Sequence, residues 1–223
     1  RDLRMSRGLG DVYKRQYLVC QNGLTVGVYP QLPEQFRGIP CEDFNNCLIV
    51  PGMNDLHLHA PQYAFHGMYM DLELLEWLNT VTFPEEARYS DLNYAEKAYS
   101  IFADDLKKSA TTRASIFGTL HVDATELLMD LMEKTGLKAF IGKINMDRNG
   151  SKALQEESAV VSATDTVRWL NDIAGKYENV KPILTPRFTP SCSDELMSRL
   201  AEIQQAYCLP VPVSYTHLTL PTI

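Results

Sequence analysis

The chain has 223 residues, 45% of them hydrophobic and 22% charged, with a formal net charge of −7; that is enough apolar material for a packed core and not the composition of a disordered chain. An acidic chain with no basic stripe is a poor electrostatic match for a phosphate backbone, which argues against a nucleic-acid partner. No run approaches the roughly 18 apolar residues of a membrane span and the Arg-containing front end has no apolar signal-peptide core, so a cytoplasmic protein with no membrane partner is expected.

Taken in chain order, residues 17–47 mix short apolar runs with Gly23, Gly27, Pro30, Pro33, Gly38 and Pro40, and are read as the remnant of a small β-rich domain flanking a larger one. From Leu48 onward strand-like and helical segments alternate, the pattern of repeated βα units around a parallel sheet. Strands are predicted near 48–58, 111–120, 137–145, 180–188 and 208–211. Helices are predicted near 91–109, 124–135, 162–177 and 193–206, with Ser90, Asp123, Ser162 and Ser193 as caps and Gly136 as a stop. The fold class is therefore α/β, with residues 48–211 forming about the first half of an eight-fold TIM-type β/α barrel. The cysteines at 20, 41, 47, 192 and 208 are odd in number with no Cys-x-x-Cys spacing, so reduced thiols are expected, Cys192 among them as a packed thiol rather than a nucleophile.

The most informative segment is Pro51 to Ala60, which carries the pair His57 and His59 at the end of an apolar run, opened by Leu48, Ile49 and Val50, that reads as a buried strand. Alternate strand side chains share a face, so Asp55, His57 and His59 point one way while Leu56 and Leu58 point the other. Two imidazoles on one face suit a divalent transition metal, with Asp55 placed to orient one of them. A bare His-x-His is also common as two ordinary histidines in a half-buried strand, and context has to decide. In a β/α barrel the working residues sit at the carboxyl ends of strands. That rule gathers His57, His59, His121, Asp123, Asn145, Asp147, Arg187 and Phe188 on one rim.

Context comes from three stretches: Pro51 to Glu86, Lys143 to Asn149, and Ile183 to Cys192. In that order they resemble signatures of the guanine deaminases of the amidohydrolase superfamily. The resemblance implies a metal-dependent hydrolase taking guanine and water to xanthine and ammonia, with one Zn²⁺ or Fe²⁺ per site held in part by His57 and His59. It places substrate contacts at Ala60, Pro61, Gln62, Arg187 and Phe188. A guanidinium fork can bond O6 and N7 of guanine together, the Gln62 amide can donate and accept at once, and an amine at C6 would meet the wrong group. Phe188 offers a face for stacking, and Trp77 lies in a 65–86 loop placed to close over the pocket. His66 and His121 are read as loop or pocket-wall histidines.

The ends stand apart from that resemblance. Residues 1–16 and 212–223 look like translated sequencing-adaptor read-through and are set aside from fold reasoning. The remaining ligands, two histidines and an aspartate, and the catalytic Glu and Asp that shuttle protons, are implied beyond Val211, and His217 is not assigned because Leu220 stands where a Glu is expected. Roughly 195 residues are too few for a complete barrel, so a truncated chain, inactive alone, is expected. Two alternatives stay open: an amidohydrolase acting on a related heterocycle, and a non-catalytic purine-binding barrel. A homodimer of the intact protein is compatible with either.

Overall fold

The structure is a computed structural model that describes residues 16–44, 47 and 49–212. Leu48, His217, Leu220 and all of the two set-aside tails except Gln16 and Pro212 lie outside the described residues. The chain divides into two compact units between Gly52 and Met53, a few residues later than the sequence suggests.

The first unit contains a hairpin, β1 (Tyr17–Gln21) and β2 (Leu24–Tyr29), paired antiparallel. Its turn is Asn22 and Gly23, both left-handed at φ 52° and 75°, as a two-residue hairpin turn with the twist of the flanking strands requires.

The second unit is built on a parallel sheet. β3 (Met53–His59), β4 (Thr111–Phe117), β5 (Lys138–Gly142) and, after the two-residue strand β6 (Ile144–Asn145), β7 (Val180–Pro182) are involved. The order is β3-β4-β5-β7, and β6 continues beside β8 (Thr185–Pro186). The predicted strands 137–145 and 180–188 are thus each broken in two. The break comes where Gly142 passes against the neighbouring strand: a Cβ there would stand 2.4 Å from Thr185 Cγ2 and 2.5 Å from the Ile183 carbonyl, so only glycine fits.

Between β3 and β4 the chain runs through α1 (Leu74–Trp77), a π-helical turn Leu78–Thr82, α2 (Phe83–Ala87) and the long α3 (Leu92–Lys108). The stretch 65–86, expected as a loop, is therefore largely helical. α4 (Val122–Thr135), α5 (Ala159–Asp172) and α6 (Asp194–Tyr207) follow the later strands. Ser193 caps α6 by accepting from Leu196 N at 3.1 Å, and Gly136 ends α4 at φ 76°, as expected. The other caps differ. Asp91, not Ser90, accepts from Asn93 N, and Ser158, not Ser162, caps α5. Asp123 lies inside the first turn of α4, where a negative charge meets the positive end of the helix dipole. The predicted strand 208–211 is not formed: Cys208 is left-handed at φ 53° and ends α6, although Pro210 O still accepts from Leu184 N at 3.1 Å.

Two apolar clusters carry the unit. The larger lies between sheet and helices and contains Ile116, Ile141, Leu128, Met132, Phe102, Tyr99 and Trp169, all nearly or fully buried. The smaller sits toward the carboxyl ends of the strands and contains Phe117, Ile144, Met146, Leu78, Phe83 and Leu154. Contrary to expectation, β3 is not a buried strand: Met53 is 57% and Leu56 76% exposed. It is the edge of its sheet, with β4 on one side and no other described strand paired to it, so its apolar residues lack a covering layer. No helix among the described residues is long and apolar enough to cross a membrane.

Candidate functional site

The carboxyl end of β3 brings the two predicted histidines together. Their Nε2 atoms lie 3.1 Å apart, close to the roughly 3.3 Å that two nitrogens bound at about 2.05 Å span across a tetrahedral ion. Both rings lie against Phe117, which is fully buried, at centroid distances of 4.7 and 4.6 Å. Burial lowers the pKa of His59 well below the ordinary value, helped by the neighbouring charge of Arg187, and burial also lowers that of His57. Neutral imidazoles are the form that ligates metal. Asp55 does not orient a ring as expected; its Oδ1 accepts from the His57 backbone N at 3.1 Å. Among the described residues the buried Nδ1 of His59 meets no partner, and no group of three or more His, Cys, Asp or Glu gathers in a form that could hold a metal.

The same cavity, about 920 Å³, is lined by His57, His59, Gln62, Trp77, Arg187 and Phe188 together with His66, Met70, Leu74 and Met197. Six of the eight predicted site residues therefore meet in one place. The other two do not: Ala60 and Pro61 are buried beneath the wall, Ala60 within the main apolar cluster, and neither lines the cavity. Their place is set by the turn of 3-10 helix at 60–65, which swings Gln62 toward the opening while packing the residues before it. Trp77 stands on α1 with its ring edge-to-face on Phe65 at 5.6 Å. His66 stacks on Tyr63 at 4.5 Å and binds its carbonyl, the loop role expected of it.

Arg187 directly follows β8, its backbone N donating to Asn145 O at 3.1 Å, which fixes where its side chain starts. The side chain is almost wholly buried and both Nη groups donate to Glu86, Nη2 to Oε1 at 2.9 Å and Nη1 to Oε2. Gln62 Nε2 donates to the same Oε1 at 3.0 Å, and the Phe83 ring lies 5.1 Å from the guanidinium carbon. Glu86, the acceptor of all three bonds, is 1% exposed.

The predicted rim does not close as one site. His121 and Asp123 line a separate cavity of about 320 Å³ with Glu156, Asp165 and Arg168. Asn145 is fully buried and donates to Ser162 and Thr166, while Asp147 accepts from Ser193 N at 2.7 Å and Ser193 Oγ at 2.5 Å. Both hold strand ends to helices. Behind them Lys143 and Glu156 form a second buried ion pair, Glu156 also accepting from Met146 N at 3.0 Å. Cys192 is buried, its thiol pushed up by burial and donating to Asn145 O at 3.3 Å, as a packed cysteine would be.

Comparison with known proteins places this geometry. The profile described as the amidohydrolase family matches residues 48–218. The guanine deaminase of Mus musculus is 44% identical over 161 residues, covering 72% of this chain and 36% of that protein. That of Escherichia coli strain K12 is 35% identical over 191 residues, covering 84% and 41%. Among solved structures, guanine deaminase from C. acetobutylicum with guanine bound in its active site superposes with a TM-score of 0.83 at 46% identity, over 88% of this chain and 46% of that one. The chain thus spans less than half the length of these relatives.

Proposed function

The chain belongs to the amidohydrolase family, its α/β unit being part of a TIM-type barrel, and on that premise we propose that its cavity is the base-binding side of a guanine deaminase, which takes guanine and water to xanthine and ammonia. The observation that carries the reading is the meeting, in one cavity, of a buried guanidinium and an amide with a pair of facing imidazoles. Likeness to several guanine deaminases, one holding guanine, supports it. A cytoplasmic site of action goes with it.

His57 and His59 would hold one Zn²⁺ or Fe²⁺ through Nε2. Bound there, such an ion supplies a water acidified from 15.7 to about 7, the nucleophile for C2 of the base. The chain's own groups do the rest of what can be derived. Arg187 donates to the two acceptors O6 and N7, and Gln62 donates and accepts on the neighbouring edge. Phe188 stacks on the ring, and Trp77 with the apolar residues of α1 keeps water from the face of the base. Adenine presents an amine at C6 to donors, and so is refused.

With zinc supplied, the whole protein is expected to release one ammonia per guanine, xanthine appearing in its ultraviolet spectrum, and to leave adenine unchanged. Ammonia from adenine, or none from guanine, would overturn the reading.

A further inference from the structure

Resting on that reading, we propose that Glu86 is a positioning residue that sets the hydrogen-bond polarity of the base-reading groups and through them the preference for an oxo group at C6. Glu86 does not line the cavity, whereas the two residues it holds, Arg187 and Gln62, both do. A carboxylate can only accept. The amide of Gln62 must therefore turn its nitrogen to Glu86, which leaves its oxygen and one N–H for a ligand. Without an obligate acceptor behind it the amide is free to flip, and a flipped amide presents the opposite pattern.

The same logic applies to Arg187. Of the five N–H groups of a guanidinium, Glu86 takes one from each Nη, an end-on fork. Planar geometry then leaves the Nε–H and the outer N–H of Nη2 side by side, a second fork of two donors suited to two adjacent acceptors. Phe83, three residues before Glu86 and on the same side of α2, lies against the guanidinium. One short helix thus fixes both the plane and the rotation of the arginine. A purely structural ion pair has no such relation to the cavity; Lys143 and Glu156, equally buried, are such a pair, and neither lines it.

Hypoxanthine and adenine test this, because they differ at C6 as guanine and its 6-amino counterpart do and neither carries the amine at C2 that is lost. Calorimetry on the whole protein gives the ratio of their dissociation constants, alongside kcat and KM for guanine. Glu86→Gln, which offers Arg187 one acceptor and one opposing N–H, is expected to weaken hypoxanthine by about tenfold or more, the loss of one charge-assisted hydrogen bond. The ratio should collapse toward unity, and KM for guanine should rise more than kcat falls. Glu86→Asp, which keeps the charge, should restore part of the ratio. A ratio unchanged in both variants, or a parent protein with no preference for hypoxanthine, overturns the inference. A merely structural role would lower the folded fraction and the melting temperature but leave the ratio intact in the folded molecules. Absence of guanine turnover in the parent counts against the deaminase reading alone, since the purine ratio still reports on Glu86.

Discussion

Two groups of residues around the cavity, taken as its two ends, are built on opposite terms. At one end Arg187, Gln62 and Glu86, brought together from positions distant in sequence, are joined by hydrogen bonds to the Glu86 carboxylate. At the other, His57 and His59 stand on an edge strand whose residues Met53 and Leu56 are exposed, with His59 Nδ1 buried and without a partner among the described residues. Catalytic zinc sites use about three protein ligands and an open position, and two imidazoles supply only part of that. The difference teaches that in one stretch of barrel the groups proposed to read the base can be held by the chain's own bonds while, among the described residues, the Nδ1 of His59 in the pair proposed to hold the metal is not. Recognition and reaction should then separate under mutation.

The largest effect is expected at the imidazole pair. His57→Ala in the zinc-loaded whole protein should bring guanine turnover to background, because without the ion water at a pKa of 15.7 rather than about 7 must serve as nucleophile. Bound zinc, measured by elemental analysis, should fall with it, while hypoxanthine binding falls far less. Equal losses of turnover and purine binding would erase the division between the ends.

Arg187→Ala attacks the other end and should cost stability as well as binding. It leaves Glu86 buried without its cation, a loss of about 3–5 kcal/mol, or roughly 6–20 °C in melting temperature for a domain of this size. The double variant Arg187→Met, Glu86→Leu should recover most of that stability and none of the preference for hypoxanthine. Recovery of both would show that the pair holds the fold and reads nothing.

Lys143→Met provides the contrast within the same barrel. Its partner Glu156 keeps a bond from Met146 N, so the cost should lie at the lower end, about 3 kcal/mol, with the purine ratio unchanged. A shift in the ratio would mean that the cavity senses packing anywhere in the sheet.

How far each end was legible in the sequence follows from the range of its interactions. His57 and His59 are two residues apart on a strand, so period-two alternation alone puts them on one face. Gln62 and Arg187 were reached through motif resemblance, and both line the cavity. Glu86 was missed because its partner Arg187 is 101 residues away, and no local pattern reports such a pair. One signal was present: Pro84 followed by Glu85 and Glu86 is how a helix begins, and reading 65–86 as a loop hid it. The apolar run opened by Leu48, Ile49 and Val50 made the strand of His57 and His59 look buried, since hydrophobicity records what a residue would prefer and not whether another layer covers it. Ser162 was mistaken for a cap because a serine ahead of an apolar run fits one, yet its hydroxyl turns inward to accept from Asn145 Nδ2 at 2.9 Å.

The smallest effect should come from Phe188, which belongs to neither end. It packs against the smaller apolar cluster and lines the cavity beside Arg187. Phe188→Leu keeps most of the buried apolar area and removes the aromatic face, a contribution of about 0.5–1.5 kcal/mol, or roughly two- to tenfold in affinity. An aromatic face does not distinguish oxo from amine at C6, so calorimetry should find hypoxanthine and adenine weakened alike and their ratio preserved. If the ratio moved instead, Phe188 would be holding the Arg187 fork in register and would have to be counted with Glu86 as part of the reading end.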